Sequence, residues 1–158
     1  MNKIILAELL AVLLLAGVMF LLLYKKDPAD VPLTLVNDAL TGSFSTDGME
    51  PAGDMRFKRS YGLNAADYEE ILYYIPDNTM SVNEFLVVKC VNEADTDTVV
   101  RACEARLATQ KKAFDGYGTN QTALLNHAEL YSSGPYVCLF VSEQASEWLA
   151  AVKQVWGE

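Results

Sequence analysis

The chain is poor in the side chains that carry most metal and nucleophile chemistry. It holds one histidine, His127, among 158 residues. A site built from several imidazoles is excluded, and any Ser-His or Cys-His pair would have to use that single ring. Cysteine occurs three times, as Cys90, Cys103 and Cys138, with no C-x-x-C spacing. An odd count without that spacing argues against a disulfide framework and against a zinc site. Each thiol is expected to pack as a small apolar side chain. The sequence also lacks G-x-S-x-G, a P-loop and G-x-G-x-x-G. Gly116-Tyr117-Gly118 has neither a third glycine nor a preceding strand, so it reads as a turn. Asp95-x-Asp97 lacks the glycine and the distant glutamate of a calcium loop and reads as helix capping. No cofactor and no metal is expected.

Basic residues are scarce beyond the first 26 positions. The net charge is -9, and the first 26 residues hold Lys3, Lys25, Lys26 and Glu8. Residues 27–158 therefore carry nine basic and twenty acidic side chains. Phosphate backbones and anionic head groups repel such a body, and no basic stripe with interleaved aromatics offsets this. Nucleic acid is not an expected partner.

What the chain does have is a long apolar run. Ile4–Tyr24 spans 21 residues with one charge, Glu8. As a helix it would reach about 31 Å, against a hydrocarbon core of about 30 Å. Signal-peptide apolar regions are shorter, about 7–15 residues, and no A-x-A site with a polar flank follows. One uncleaved transmembrane helix is expected, marked by Ile4, Glu8, Gly17 and Tyr24. Leu15-Ala16-Gly17 resembles the start of a lipoprotein box, but Val18 stands where the lipid-bearing cysteine belongs, so the helix itself must anchor the chain. A bare count of Lys and Arg around the span would put the body inside the cell. The N-terminal amine evens that count, and no Lys or Arg occurs between Asp27 and Met55. The body is therefore expected outside.

Glu8 lies one turn into the run, close enough to the interface to snorkel or protonate. The alternative is a minor pilin-like subunit, in which cleavage after Lys3 would make Glu8 the fifth residue. Against it, prepilins carry glycine before the cut, and Pro28 and Pro32 would interrupt a continuous stalk helix.

Beyond the span, "DPADVPL" is expected to stand off as a Pro-containing connector. "LTLVNDAL" predicts a short helix with Leu35, Val36 and Leu40 on one face, and "TGSFSTDGMEPAGD" predicts a loop. "MRFKRSYGL" predicts an edge strand. "NAADYEEILYYI" predicts a helix capped by Asn64, buried through Leu63, Tyr68, Ile71 and Leu72, and stopped by Pro76. Its carboxylates Asp67, Glu69 and Glu70 would sit at the positive end of the helix dipole. "SVNEFLVVKCV" predicts a strand. "DTDTVVRACEARLATQKKAF" predicts a long helix with Val99, Val100, Cys103, Leu107 and Phe114 inward. A shorter helix carrying Leu124 and Leu125, two strands around Ser-Ser-Gly-Pro, and a final amphipathic helix complete the chain. The expected class is α+β, a small mostly antiparallel sheet covered by helices and preceded by one N-terminal transmembrane helix. The divisions are 1–26 anchor, 27–55 linker with a short helix and loop, and 56–158 extracytoplasmic domain.

Several features together resemble a known but uncharacterised family. They are Tyr68 with the Tyr73-Tyr74 pair, Glu84 opening a strand, Phe114-x-Gly116-Tyr117, Leu124-Leu125 and Gly134-x-Tyr136-Val137. The stretch from about 56 to 145 is similar to domain of unknown function 4358, a set of Gram-positive bacterial proteins. The resemblance implies small secreted domains, tethered as lipoproteins or by one helix. It implies no activity and transfers no catalytic residue.

Tyrosine is the one enriched feature. Tyr61, Tyr68, Tyr73, Tyr74, Tyr117, Tyr131 and Tyr136 either fill the rim of the core or form an exposed patch that binds a protein or glycan, and five of them, Tyr68, Tyr73, Tyr74, Tyr117 and Tyr136, are the candidates for that patch. The expected role is a non-enzymatic binding module at the bacterial cell envelope, held in the membrane by its helix. Besides the pilin-like subunit, the other alternative is a wall-active hydrolase, which needs two inward carboxylates at catalytic separation.

Overall fold

A computed structural model describes residues 10–19 and 28–158. Residues 10–19, including Gly17, are helical, and the larger apolar side chains there are exposed. Among the described residues no helix is long and apolar enough to cross a membrane. Ile4, Glu8 and Tyr24 lie outside the described residues.

The body runs α1 (Leu33–Ser43), β1 (Met49–Pro51), α2 (Asp54–Tyr61), β2 (Tyr68–Pro76), β3 (Glu84–Cys90), α3 (Thr96–Phe114), α4 (Thr119–Asn126), β4 (Glu129–Ser133), β5 (Tyr136–Val141) and α5 (Ala145–Trp156). The five strands form one sheet in the order β1-β2-β3-β5-β4, with every neighbouring pair antiparallel. Helices α2, α3 and α4 cover one face and α1 with α5 the other. The class is α+β, as expected.

Two separate cores result. Alternate residues of β3 feed them: Leu86, Val88 and Cys90 join Phe57, Val99 and Cys103 on one side. Phe85 and Val87 join Leu40, Trp148 and Trp156 on the other. Every residue of β3 and β5 is buried. Strands covered on both faces read as continuous apolar runs, which is why "FLVV" and "YVCLFV" were legible.

The element expected as a helix over 64–75 is instead strand β2, preceded by a single 3₁₀ turn at Ala65–Asp67. Ile71, Tyr73 and Ile75 face one core while Leu72 and Tyr74 face the other. Apolar groups on both faces erase the period-2 signal, and the aromatic and β-branched content decides the outcome. The register slips between Tyr68 and Glu70, a bulge that leaves one extra residue on this strand. Conversely, the expected edge strand "MRFKRSYGL" is helix α2. Phe57 and Tyr61, one turn apart, are buried, and Gly62 at φ +71° closes the helix in the left-handed conformation.

The connector also departs from expectation. Ala29 N donates to Trp156 O at 2.9 Å. Tyr136 Oη lies 2.9 Å from both the amide nitrogen and the carbonyl oxygen of Val31. Leu33 N donates to Glu70 Oε2 at 2.9 Å. Pro28 lies so close to Gly134 that a Cβ there would come within 2.8 Å of it. Helix α1 then buries Leu33, Val36 and Leu40, leaving Leu35 exposed. Residues 45–53, expected as loop throughout, supply edge strand β1. The stretch 28–55 is thus part of the folded body rather than a linker. A buried tyrosine hydroxyl needing partners and a proline ring against a glycine outweigh the extended tendency of the two prolines.

Candidate functional site

Glu84 opens β3 at the centre of the sheet and points into the face covered by α2 and α3. It is fully buried. An isolated carboxylate there would be prohibitive, and four side chains answer it. The Tyr61 hydroxyl donates to Oε1, and Tyr73 Oη lies 3.0 Å from the same oxygen. Arg106 reaches Oε2 through Nη2 at 3.1 Å and Nε at 3.3 Å. Gln110 Nε2 donates to Oε2 at 3.2 Å. Arg106 and Gln110 stand one turn apart on α3, so one helix face delivers both. Burial pushes the Tyr61 hydroxyl well above its ordinary range, with the Glu84 charge adding to it, and the same causes raise Tyr73. Both phenols stay protonated and remain donors. Burial, then the charge of Glu84, also raises the Cys103 thiol.

Above this network lies a cavity of about 420 Å³. Its walls come from α2 (Arg56, Arg59, Ser60), the β1–β2 edge (Glu50, Tyr73), the loop from Asp77 to Ser81, and α3 (Arg106, Gln110, Phe114). A volume of this size falls within the range of small-molecule sites. Arg56 and Arg59 are exposed, and neither guanidinium has a hydrogen bond or ion pair among the described residues. Gln110 Oε1 is buried without a partner. Turning that amide over would set an acceptor against the Glu84 carboxylate, so Nε2 must face Glu84.

A second charged cluster occupies the opposite face. Lys89 Nζ lies 2.7 Å from Glu69 Oε1, 2.8 Å from Asp30 Oδ1 and 3.8 Å from Glu70 Oε1, with its side chain 7% exposed. The bulge in β2 lets two successive glutamates reach one ammonium, which regular alternation would forbid. Glu69 and Glu70 are therefore not at a helix start but on a strand, paired with lysine. The hydrogen bonds that Lys89 donates to Asp30 and then to Glu69 raise its ammonium above its ordinary range, and the first of these bonds and the charge of Lys89 lower Asp30. This cluster fastens the connector.

His127 is exposed and lines a second open depression, also of about 420 Å³, with Ser142, Glu143 and Ser146. Its ring makes no hydrogen bond among the described residues. Cys90, Cys103 and Cys138 are buried free thiols. Among the described residues no group of three His, Cys, Asp or Glu side chains is placed to hold a metal ion.

The five tyrosines do not share a surface. Tyr73 and Tyr136 are buried, Tyr136 stacking on Trp156 at 4.8 Å. Tyr68 meets Phe57 edge-on at 6.0 Å, and Tyr74 stacks on Phe85 at 4.4 Å on the other face. Tyr117 alone of the five is exposed, at 71%. Sequence reasoning missed Tyr61, Arg106 and Gln110 as partners of Glu84. The available signal was a glutamate opening an otherwise apolar strand, with an Arg and a Gln four residues apart on the best helix.

Residues 42–142 match the profile of the family described as Domain of unknown function (DUF4358). The matched stretch contains all five strands and the whole Glu84 network, and leaves α5 and nearly all of α1 outside. No curated protein and no solved structure matches the chain.

Proposed function

The chain belongs to the DUF4358 family, and we propose that it is a non-enzymatic binding module, anchored in a bacterial membrane by its N-terminal apolar segment with the body outside. The observation that carries the binding role is the open cavity over a buried carboxylate whose lone pairs are already taken. Glu84 is locked by Tyr61, Tyr73, Arg106 and Gln110. Such a carboxylate has no free geometry for proton transfer or attack, while the exposed guanidinia above it remain available for recognition. The apolar run from Ile4 to Tyr24 and the strongly acidic body after it support the anchoring and the exterior placement. The partner is an envelope protein or glycan.

Protease added to intact cells tests the placement. A C-terminal epitope should disappear while a cytosolic marker survives; a protected epitope would put the body inside. The mass of the N-terminus tests the anchor. Met1 or Asn2 should be retained, whereas processing after Lys3 would favour a pilin-like subunit. Capture from native membranes with the full-length chain as bait should then return an envelope component that Arg56→Gln with Arg59→Gln releases. Capture unaffected by those changes would remove the cavity from the binding role.

A further inference from the structure

The ligand class of that cavity can be read from its charges, and this step rests on the binding reading above. Nine basic residues occur in 27–158, and six of them (Arg56, Lys58, Arg59, Arg106, Lys111 and Lys112) lie on α2 or the C-terminal half of α3. Those two helices pack against one another. The only carboxylate on those same stretches is Asp54. Three of these six, Arg56, Arg59 and Arg106, line the cavity.

The cations there are not equivalent. Arg106 is spent on Glu84. Arg56 and Arg59 project from successive turns of α2 into the same cavity and have no described partner. Planar guanidinium groups bind oxyanions through paired N–H donors. Glu50 and Asp77 also line the cavity. They and the acidic body limit the region to a compact ligand, since a long polyanion would run onto like charge. We infer that the cavity between α2 and α3 binds a small organic oxyanion, a carboxylate or phosphate group, through Arg56 and Arg59.

Titration calorimetry on the full chain in neutral detergent, at low salt, tests this with two probes, succinate and inorganic phosphate. At least one should give saturable heat with one-to-one stoichiometry, and which one does so separates a carboxylate from a phosphate. Arg56→Gln with Arg59→Gln should weaken binding by about tenfold or more, the loss of roughly one charge-assisted contact. Arg101→Gln, on an exposed part of α3, should leave it unchanged. Both cavity arginines are exposed, so the double variant should melt with the parent. If it melts early, each single variant must show the weakening instead. No saturable heat with either probe, or equal affinity in the variants, overturns the inference. Failure here together with an arginine-dependent capture from membranes removes only the ligand class. A body found inside the cell removes the exterior placement and leaves the calorimetry standing.

Discussion

Glu84 and Lys89 stand five residues apart on β3 and face opposite layers of the molecule. One draws its partners from α2, β2 and α3, the other from β2 and the connector. At about 3.3 Å per residue, some 17 Å of strand separates the two centres. They share no partner, so their energetics should be independent. Glu84→Ala leaves the half-buried Arg106 guanidinium and the buried Tyr61 hydroxyl without an acceptor, while the Tyr73 hydroxyl keeps Ser60 Oγ at 3.0 Å. It should cost about 3–5 kcal/mol in urea unfolding followed by tryptophan fluorescence. Lys89→Met should cost less, because its carboxylate partners can return to water. The double variant should show the sum within about 0.5 kcal/mol. A large coupling would mean that the sheet transmits strain between its two faces.

Tyr136→Phe should loosen the connector while leaving the core full. The ring stays against Trp156, but Val31 loses both its donor and its acceptor. The expected cost is about 1–2 kcal/mol. Amide exchange at Ala29 and Val31 should quicken while that of β3 holds. Unchanged exchange at those two amides would show that Pro28 and Asp30 suffice to hold the connector.

The Lys89 cluster predicts a stability window in pH. The carboxyl of Asp30 is lower in the fold than in the unfolded chain, so its contribution is present above the ordinary carboxylate value of about 3.9 and is lost as pH falls through the folded value. The Lys89 ammonium is raised, so its contribution is complete below about 10.4 and is lost as pH rises through the folded value. Comparing Asp30→Asn with the parent across pH checks this. Their difference in unfolding free energy should be flat near neutrality and shrink in acid below about pH 4. A difference that grew on acidification would contradict the assigned pairing.

Gly134→Ala tests the contact at the β4–β5 turn. The residue sits at φ +50°, and an added methyl would lie 2.8 Å from Pro28 Cγ and 2.9 Å from its Cδ. Strain and overlap together should cost about 1–3 kcal/mol. Pairing it with Pro28→Gly should recover the steric part and leave the backbone part. No recovery would mean that the cost lies in the turn alone.

The three thiols should resist modification. Burial raises Cys90 to about 11, with the charge of Asp95 adding to it, and raises Cys103 and Cys138 further. At pH 8 in the native state none should react with a thiol reagent, and all three should react in denaturant. A fast native reaction would point to local opening around β3, α3 or β5.

The parts of the fold that were legible carry one unmixed pattern, either a helical stripe or an uninterrupted apolar run. Helix α3 shows its buried stripe at Val99 and Cys103, and β3 shows an unbroken apolar run. The misread parts break that simplicity. "YEEILYYI" is covered on both faces and carries a bulge, so neither a period of 2 nor one of 3.6 is clean. "DMRFKRSY" buries only Phe57 and Tyr61, too few positions to show a helical stripe. The Glu84 network was harder still. Tyr61, Tyr73, Glu84, Arg106 and Gln110 come from four separate elements; the antiparallel pairing of β2 with β3 brings Tyr73 near Glu84, and the packing of α2 and α3 on that face brings the others. Tyr73, one of the expected surface tyrosines, belongs to this buried network.

Pro28 to Leu33 is stitched to β5, α5 and the bulge of β2. That makes the junction a bracket rather than a leash. A pull on the residues before Pro28 would load the Tyr136 hydroxyl and the last turn of α5 at once, with no slack to absorb it. Disturbing any one of these contacts would be felt by β5, α5 and β2 together.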